Sequence, residues 1–335
     1  MPYETGTAND VNDLLSKLRV FALAQGWAVD FNGARTDHTG QAVLLNKAGM
    51  RCGFFTRTNV SGQGATIDPG PYMGPALYPG PYNSGQAAHA QTGISYFAYA
   101  NNMPGPFVAY HVFAGANRAG ESYLHVVVEV TAGSFRHFGV GTLNRLGVVT
   151  NGSYAYGNRW HWNAINASDS IASTFNQVPW DSTEDANPFN LDGGLNSRGT
   201  IIRADSDSVS PRYCVLFGSS SGLGVNFARG FAVPPFFGRP SPTVNASALA
   251  IPAASGLTGR AMLAPLWVAI LRPGNLWSPL GSPQDIRAVN MSNITPGAAI
   301  TLGPDTWRVF PVIRKNGIGS QENSGVNGYA YRVAS

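Results

Sequence analysis

Charged side chains are scarce in this sequence of 335 residues. Asp, Glu, Lys and Arg together make up 12% of the chain, against about 25% in an average soluble domain. Only three lysines and five glutamates occur, whereas arginine supplies 19 of the 22 cations. The shortage of glutamate predicts few long helices. Arginine is enriched at protein interfaces, where lysine is depleted, so this balance indicates a protein that buries much of its surface against partners.

Long apolar runs are missing as well. No stretch approaches the ~18 uninterrupted apolar residues of a membrane helix, so we expect no membrane span. The net charge is only +4 and the cations are scattered singly, whereas a nucleic-acid binder gathers them on one face or stretch. We therefore expect no nucleic-acid partner. An apolar content of 44%, with 11% aromatic residues, excludes a disordered chain.

Cysteine is rarer still. Cys52 and Cys214 are the only two, which is too few for a disulfide framework or, by themselves, a metal cage. Cys214 lies in an apolar segment typical of a buried strand and is expected to be an inert core thiol. We expect neither a metal nor a cofactor. Residues 1–15 lack the basic and apolar regions of a signal peptide, so synthesis in the cytoplasm is expected.

One segment has clear helical periodicity. Thr7 or Asn9 is the expected N-cap, and Asp10 and Asp13 fall in the first turn, where the helix dipole favours negative charge. Gly26 fits the C′ position that ends a helix. The apolar stripe of this amphipathic helix consists of Val11, Leu14, Leu15, Leu18, Phe21 and Ala22.

The rest of the chain is dominated by strand signals. Residues 27–31 and 42–45 predict a hairpin, and residues 122–130 with 135–140 predict a central one. The fold class is therefore α+β, mainly antiparallel β, with one N-terminal amphipathic helix, short strands and long Pro/Gly-rich ordered loops. We divide the chain into residues 1–60, the helix plus hairpin, and residues 61–335, a β-rich body. Further strands are expected at 200–203, 212–217, 265–271, 286–289, 307–312 and 329–333.

Two segments, 61–110 and 147–200, are expected to be interaction loops. Pro69-Gly70-Pro71-Tyr72 recurs ten residues later as Pro79-Gly80-Pro81-Tyr82, and Pro104-Gly105-Pro106-Phe107 is a looser copy. Proline fixes φ and glycine permits a reversal, so each copy is a turn or extended segment with an aromatic residue at its exit. The first loop is either an ordered surface excursion pinned by its tyrosines or a contact arm that reaches a neighbouring subunit. Tyr72, Tyr82 and Phe107 are its candidate interaction residues.

The second loop contains Arg159-Trp160-His161-Trp162. On an extended segment Trp160 and Trp162 share one face, from which they could stack on sugar rings or anchor a protein interface. Burial in the protein's own core is the third interpretation. Both tryptophans are candidate interaction residues.

Patterns that would indicate an enzyme are weak. Residues 218–222 match G-x-S-x-G around Ser220, but no helix follows to support a nucleophile elbow. His125 and Glu129 share a strand face near His137, yet nothing fixes three converging zinc ligands, and a half-exposed strand face is the simpler expectation. We expect no enzymatic activity. A group of carboxylates in the second loop could bind a cation or act on sugars: Asp181, Glu184, Asp185 and Asp192.

Three stretches of the sequence point to one kind of protein. The first stretch begins with Tyr3-Glu4-Thr5-Gly6-Thr7-Ala8 and continues through the predicted helix to Gly26-Trp27-Ala28-Val29. The second consists of residues 123–130 followed by Phe138-Gly139-Val140-Gly141. The third lies near the end of the sequence, in residues 300–312 and 328–332. Together they resemble tailed-bacteriophage virion proteins of the tail and baseplate type. The resemblance covers about a quarter of the chain and leaves residues 147–260 without a counterpart.

The resemblance implies an assembly component without catalytic residues. We expect a non-enzymatic structural protein of the virion tail, in the baseplate or tail tip, that forms a cyclic homo-oligomer and docks neighbouring tail proteins. Three alternatives remain open. They are a receptor-binding tail module that stacks host surface glycans on its tryptophans, a capsid decoration protein, and a virion-associated hydrolase that uses Ser220 or Asp185.

Overall fold

The structure, a computed structural model, describes residues 2–58, 71–95, 97–116, 122–146, 151–157, 159–161, 180, 200–203, 213–216, 227–232, 261–266, 268–272, 276–315 and 327–334. Within these ranges lie one α-helix, one short 3₁₀ helix and 21 strands, most of them paired antiparallel, so the expected mainly antiparallel α+β class is confirmed. The helices are α1 (Val11–Ala24) and the 3₁₀ helix (Ala88–Ala90). The strands are β1 (Tyr3–Gly6), β2 (Ala28–Ala34), β3 (Gln41–Lys47), β4 (Met50–Arg57), β5 (Tyr72–Leu77), β6 (Phe97–Tyr99), β7 (Ala109–Ala116), β8 (Ser122–Thr131), β9 (Ser134–Arg145), β10 (Ser153–Tyr156), β11 (Arg159–His161), β12 (Thr200–Arg203), β13 (Tyr213–Leu216), β14 (Phe227–Ala232), β15 (Leu263–Pro265), β16 (Val268–Arg272), β17 (Leu276–Pro283), β18 (Ile286–Asn290), β19 (Ala299–Leu302), β20 (Asp305–Pro311) and β21 (Asn327–Ala334).

Helix α1 is the helix that the periodicity predicts. Its N-cap is Asp10, however, so the expectation of Thr7 or Asn9 is wrong. Asp10 has extended backbone, and its carboxylate accepts hydrogen bonds from the backbone N–H groups of Asn12 and Asp13, at 2.8 and 2.9 Å. This satisfies two of the N–H groups that a helix start leaves unpaired. Gly26 lies at the predicted C′ position with φ +77°, a conformation that costs glycine little.

The apolar stripe of α1 enters the core as the sequence predicts. Leu14, Leu15 and Leu18 are buried against the four-stranded sheet and the first strands of the large sheet. Each leucine that is fully removed from water contributes about 1.5–3 kcal/mol. The helix therefore closes one side of the main core.

The four-stranded sheet has the order β2-β3-β4-β5. The predicted hairpin is confirmed as β2 and β3, and β5, from the segment predicted as the first interaction loop, completes the sheet. At Gly74 a Cβ would lie 2.1 Å from the carbonyl oxygen of Ala98, so only glycine lets β5 approach β6 this closely. The division of the chain at residue 60 stays a prediction.

The large sheet has ten strands in the order β1-β7-β8-β9-β10-β12-β13-β14-β16-β17. The predicted central hairpin is confirmed as β8 and β9, joined by a tight turn at Gly133. Strand β9 is long enough to pair with β8, with β10 and also with β17. The strands β9-β10-β12-β13-β14-β16-β17 therefore form a closed ring of pairings. Among the described strands of this sheet, only β13 and β14 pair in parallel.

A five-stranded sheet, β15-β18-β21-β20-β19, packs on the opposite face of the large sheet from α1. Strand β8 is therefore covered on both sides. Leu124, Val126 and Val128 belong to the core beneath α1, and Tyr123 and Val127 belong to the core beneath the five-stranded sheet. Strands covered on both faces are apolar almost throughout, as the run of valines in β8 is. Across the described ranges, no helix has the length and apolar character needed to cross a membrane.

Candidate interaction surface

The structure describes four of the five predicted interaction residues, and these lie in three different settings. Tyr72 and Tyr82 are half-buried on the face of the four-stranded sheet that points away from α1. Trp160 lies on β11, which pairs with β6 beside that face. Phe107 lies in the main core. Trp162 lies outside the described residues.

Aromatic rings cover the outward face of the four-stranded sheet. We call this set the outer aromatic layer; ring centroids lie 4.7 Å apart for Phe55 and Phe97, 4.9 Å for Tyr72 and Tyr99, and 5.8 Å for Phe31 and Tyr82. Phe55, Phe97 and Tyr99 are buried, whereas the other three are half-buried. The layer thus has a buried base and a partly exposed rim, an arrangement that suits contact with another surface. Its members are Phe31, Phe55, Tyr72, Tyr82, Phe97 and Tyr99.

Strand β11 pairs with β6, the strand that carries Phe97 and Tyr99 of this layer. Trp160 is paired with Ala98, and its neighbours in the ladder are Arg159 opposite Tyr99 and His161 opposite Phe97. The backbone thus places Trp160 within the same two-stranded ribbon as two members of the layer. The sequence could not show this proximity, because 59 residues, 100–158, lie between the two strands.

Phe107 has a different role. Its ring is 3% exposed and belongs to the same core cluster as the apolar stripe of α1. Its backbone N–H donates a hydrogen bond of 2.8 Å to the carbonyl of Ala8, just before the helix. The third Pro-Gly copy therefore uses its aromatic residue to hold the chain against the start of α1.

A polar clasp lies beside the outer aromatic layer. Arg35 and Asp37, in the β2–β3 loop, form a salt bridge through two guanidinium nitrogens. His89, in the 3₁₀ helix, places its Nδ1 atom 3.4 Å from the Asp37 carboxylate. The Arg35 guanidinium also lies 5.5 and 5.7 Å from the ring centroids of Phe55 and Phe97. The clasp therefore joins the hairpin loop to the segment that carries Tyr82.

The protonation states of the clasp follow from its burial. Burial alone would raise the pKa of Asp37, but the hydrogen bonds and charge of Arg35 outweigh it and hold this pKa below its usual value. Burial, helped by the charge of Arg35, lowers the pKa of His89 despite the nearby carboxylate. At neutral pH the clasp is thus a charged Arg–Asp pair beside a neutral histidine. Its carboxylate already accepts from Arg35, so we regard the clasp as a structural support for the layer.

Helix α1 carries apolar side chains outside the core as well. Val20 is 57% exposed and Leu23 is 45% exposed, and Ala24 beside them is also exposed. Residues three and four apart are neighbours on a helix surface, so these three side chains form one exposed stripe. The spacing of the apolar residues predicts only the buried stripe, so this exposed stripe is a finding of the structure.

The predicted half-exposed strand face is wrong for His125 and His137, whereas Glu129 is half-buried. Both histidines are fully buried because the five-stranded sheet covers this part of β8 and β9. Among the described residues, no group of three or more His, Cys, Asp or Glu side chains is arranged to hold a metal ion. Ser220 and the carboxylates Asp181, Glu184, Asp185 and Asp192 lie outside the described residues.

A sequence signal for the buried histidines was nevertheless present. Polar aromatic residues recur two apart on several strands, as in Tyr123-x-His125 on β8, Tyr154-x-Tyr156 on β10 and Tyr329-x-Tyr331 on β21. Residues two apart point to the same face of a strand. The repetition of this pair indicates that the strands share one aromatic layer, here the core between the two larger sheets. Trp180, from the second predicted loop, packs there on Tyr154 at 5.0 Å.

Two comparisons with known proteins give no match: neither the scan against protein-family models nor the search of the curated proteins finds a sequence similar to this chain.

Proposed function

We propose that this chain is a non-enzymatic structural component of a bacteriophage virion, located in the tail baseplate or tail tip. In this role it assembles into a cyclic homo-oligomer and docks neighbouring tail proteins. The observation that carries the proposal is that helix α1 has one buried and one exposed apolar stripe. This helix lies in the segment where the sequence resembles tail proteins.

One face of α1 closes the main core, while Val20, Leu23 and Ala24 face outward. Leucine and valine each lose about 1.5–3 kcal/mol of favourable burial when they stay in water. A helix that has already buried its core stripe has no need of a second one for folding. The exposed stripe therefore supports docking of α1 against another subunit.

The N-terminal segment is also firmly anchored, as a docking element must be. The Tyr110 hydroxyl donates a hydrogen bond of 2.7 Å to Glu4, and the Tyr3 hydroxyl lies 2.8 Å from Nδ1 of His111. Lys17 on α1 bonds to Asp13 and lies 5.9 Å from the centre of the Tyr110 ring. These contacts fix β1 and α1 to the large sheet, so a load applied to α1 is transmitted to the body of the protein.

A receptor-binding module that stacks host glycans is the second candidate. The half-buried rings of Tyr72 and Tyr82, with Trp160 on the adjacent ribbon, favour it, because sugar rings stack on exposed aromatic faces. A host polysaccharide should then quench tryptophan fluorescence in the native chain but not in Trp160→Ala. The absence of any response to host polysaccharide would remove this candidate.

Position in the particle is tested by immunogold electron microscopy of purified virions, with an antibody against this chain. Label at the distal tail supports the proposal, and label over the head would assign the chain to capsid decoration instead. No label on intact or disrupted particles would refute a virion role. The hydrolase alternative is then tested in solution, where it requires Ser220→Ala or Asp185→Asn to lower a measured hydrolysis rate.

The role of the exposed stripe is tested by oligomeric state. Leu23→Asp places a charge in the stripe and is expected to shift the sedimentation profile from ring to monomer, because a buried unpaired carboxylate opposes the contact. Ala132→Asp, at the exposed turn between β8 and β9, is the matched control and should leave the profile unchanged. If Leu23→Asp also sediments as a ring, α1 is not the contact between subunits.

A further inference from the structure

Strand β1 lies at the edge of the large sheet. It is four residues long, and among the described strands it pairs with β7 alone. One further backbone hydrogen bond joins the two segments, from the N–H of Ala114 to the carbonyl oxygen of Pro2, at 3.1 Å. Short terminal segments are among the parts of a native protein that open most easily. The side chains of β1 therefore matter for how firmly it is held.

Tyr3 makes most of the side-chain contacts between β1 and the body of the protein. Its ring stacks on Phe113 at 5.1 Å between centroids and lies at 7° to the plane of the His111 ring, 6.1 Å away. The Tyr3 hydroxyl lies 2.8 Å from Nδ1 of His111. The guanidinium carbon of Arg308, on β20, lies 5.2 Å from the centre of the Tyr3 ring. Tyr3 thus connects β1 both to β7 and to the five-stranded sheet.

His111 is covered from two sides. Tyr3 lies on one side, and on the other the Phe310 ring of β20 has its centroid 4.6 Å from that of His111. The charged or titratable groups that interact with His111 electrostatically are Arg308 and the buried His137 on β9. Neither group can neutralise a positive charge on His111.

The polar side chains of β1 complete the surroundings of His111. Glu4 points to the opposite face of the strand, where its carboxylate accepts a hydrogen bond of 2.7 Å from the Tyr110 hydroxyl. Thr5 shares the face of Tyr3, interacts with its hydroxyl and donates to the carbonyl oxygen of Tyr110. In the part of the chain that the structure describes, no carboxylate forms an ion pair with His111.

A proton on His111 changes the charge of this site more than its hydrogen bonding. The Tyr3 hydroxyl can donate to a bare Nδ1 or accept from a protonated one, so the contact exists in both states of the ring. A charged ring, however, would lie half-buried under Tyr3 and close to the Arg308 guanidinium. Burial of a cation without a partner, and its repulsion by a second cation, both oppose this state.

We propose that Tyr3, His111 and Arg308 form an acid-sensitive latch, which holds β1 on β7 while His111 is neutral and releases β1 when His111 binds a proton. Detachment of β1 uncovers the imidazole ring, so the open state binds the proton more tightly than the closed state. Lower pH therefore shifts the population towards the open state. Release leaves β7 with an open edge. The latch belongs to the single chain and does not depend on the assembly proposed above.

The size of the effect follows from the difference in proton affinity. Burial, with the charge of Arg308, lowers the pKa of His111 to about 4 in the closed state. A histidine in water has a pKa of about 6.5. If detachment restores that value, the ratio of open to closed chains rises about 30-fold from pH 8 to pH 5. Because the closed-state pKa is the lower one, the closed state loses stability as the pH falls.

The test is hydrogen exchange of the full chain, followed by NMR at pH 8 and pH 5 and expressed as protection relative to an unstructured chain at the same pH. The N–H of Ala114 bonds to β1, whereas that of Phe113, one residue earlier, points to β8. We expect protection of Ala114 to fall about 30-fold while that of Phe113 stays unchanged. A parallel fall at both amides would mean that the whole sheet opens. That result, or constant protection at Ala114, would overturn the proposal.

His111→Gln removes the titrating ring. Protection of Ala114 should then be equal at pH 8 and pH 5, relative to the unstructured chain. His89→Gln is the matched control, because this half-buried histidine belongs to the clasp, and it should keep the fall seen in the native chain. If Ala114 in His111→Gln still loses protection in acid, another group controls β1 and the latch is refuted.

Arg308→Gln tests the latch with His111 in place. Without the repelling charge, the NMR titration of His111 should move to higher pH, and protection of Ala114 should fall less between pH 8 and pH 5. Each variant is compared with itself at two pH values, so the lost contact between Arg308 and Tyr3 cancels. Arg287→Gln, in which the lost guanidinium lies over Trp307 on the same sheet, is the control and should change neither result. An unchanged His111 midpoint in Arg308→Gln would contradict the latch.

Discussion

Phe107 and Tyr82 offer a direct test of how the structure divides the repeated Pro-Gly segments between folding and contact. Both residues follow the same Pro-Gly-Pro sequence, yet Phe107 is 3% exposed in the main core while Tyr82 is half-buried against Phe31. The perturbation is truncation of each ring to alanine. Phe107→Ala should destabilise the fold strongly, and Tyr82→Ala only weakly.

The magnitudes follow from burial. Replacing a buried phenylalanine by alanine costs about 3–5 kcal/mol, because apolar contacts are lost and a cavity is left. For 335 residues, an unfolding entropy of about 2.1 cal/mol/K per residue gives about 0.7 kcal/mol/K, so Phe107→Ala should lower the Tm by about 4–7 °C. A half-buried ring contributes about 1 kcal/mol, which corresponds to about 1–2 °C for Tyr82→Ala.

Thermal and urea unfolding followed by far-UV circular dichroism measure both variants beside the native chain. Tyr82→Ala should also weaken ring formation in sedimentation experiments if the outer aromatic layer contacts a neighbouring subunit. A loss below about 1 kcal/mol for Phe107→Ala would mean that its ring does not support the start of α1. The assignment of the third Pro-Gly copy to the core would then be refuted.

Two further results are expected. Gly74→Ala should unfold at a much lower urea concentration than the native chain, because its Cβ would lie 2.1 Å from the carbonyl oxygen of Ala98 on β6. Gly80→Ala is the control and should unfold as the native chain does, because the space around Gly80 is open. Equal midpoints for the two variants would contradict the close approach of β5 and β6. Burial, with the charge of Arg308, lowers the pKa of His111 from 6.5 to about 4. The unfolded chain therefore binds the proton at a higher pH than the folded chain, and the free energy of unfolding falls as the pH drops from 6.5 towards 4. The loss due to this residue is about 1 kcal/mol at pH 5.5 and about 3 kcal/mol at pH 4. Urea unfolding at pH 7 and 5.5 should therefore show a smaller loss in His111→Gln than in the native chain, and an equal loss would refute this pKa.

Much of the local structure could be predicted from the sequence. The spacing of Val11 to Ala22 and the glycine at position 26 were enough for α1, and the two hairpins were visible in residues 27–45 and 122–140. These signals depend on residues close together in the chain. The predicted N-cap, Thr7 or Asn9, was wrong, and the nearer of the two lies one position before the observed cap, Asp10. Asp, Asn and Thr are all good caps, so only the backbone conformation at Asp10 decides among them.

The candidate surface was only partly predictable. Tyr72, Tyr82 and Trp160 were singled out by composition and spacing, but their placement around β5, β6 and β11 depends on pairings between distant strands. Phe107 carries the same local pattern as Tyr82 and is nevertheless a core residue. A repeated turn sequence specifies the turn, and the partner that its aromatic residue meets is set by the rest of the fold.

The sequence by itself determined helix α1 and the two hairpins, since propensity, period and turn residues act over a few positions. Only the tertiary structure decided which strand faces are covered. Alternation along β8 shows that His125 shares a side with Val127, but it does not show that the five-stranded sheet, formed by residues 263–334, packs on that side. That packing removes both histidines from water and brings the Tyr331 hydroxyl within 2.8 Å of Nδ1 of His137, a contact between residues that are 194 positions apart in the chain.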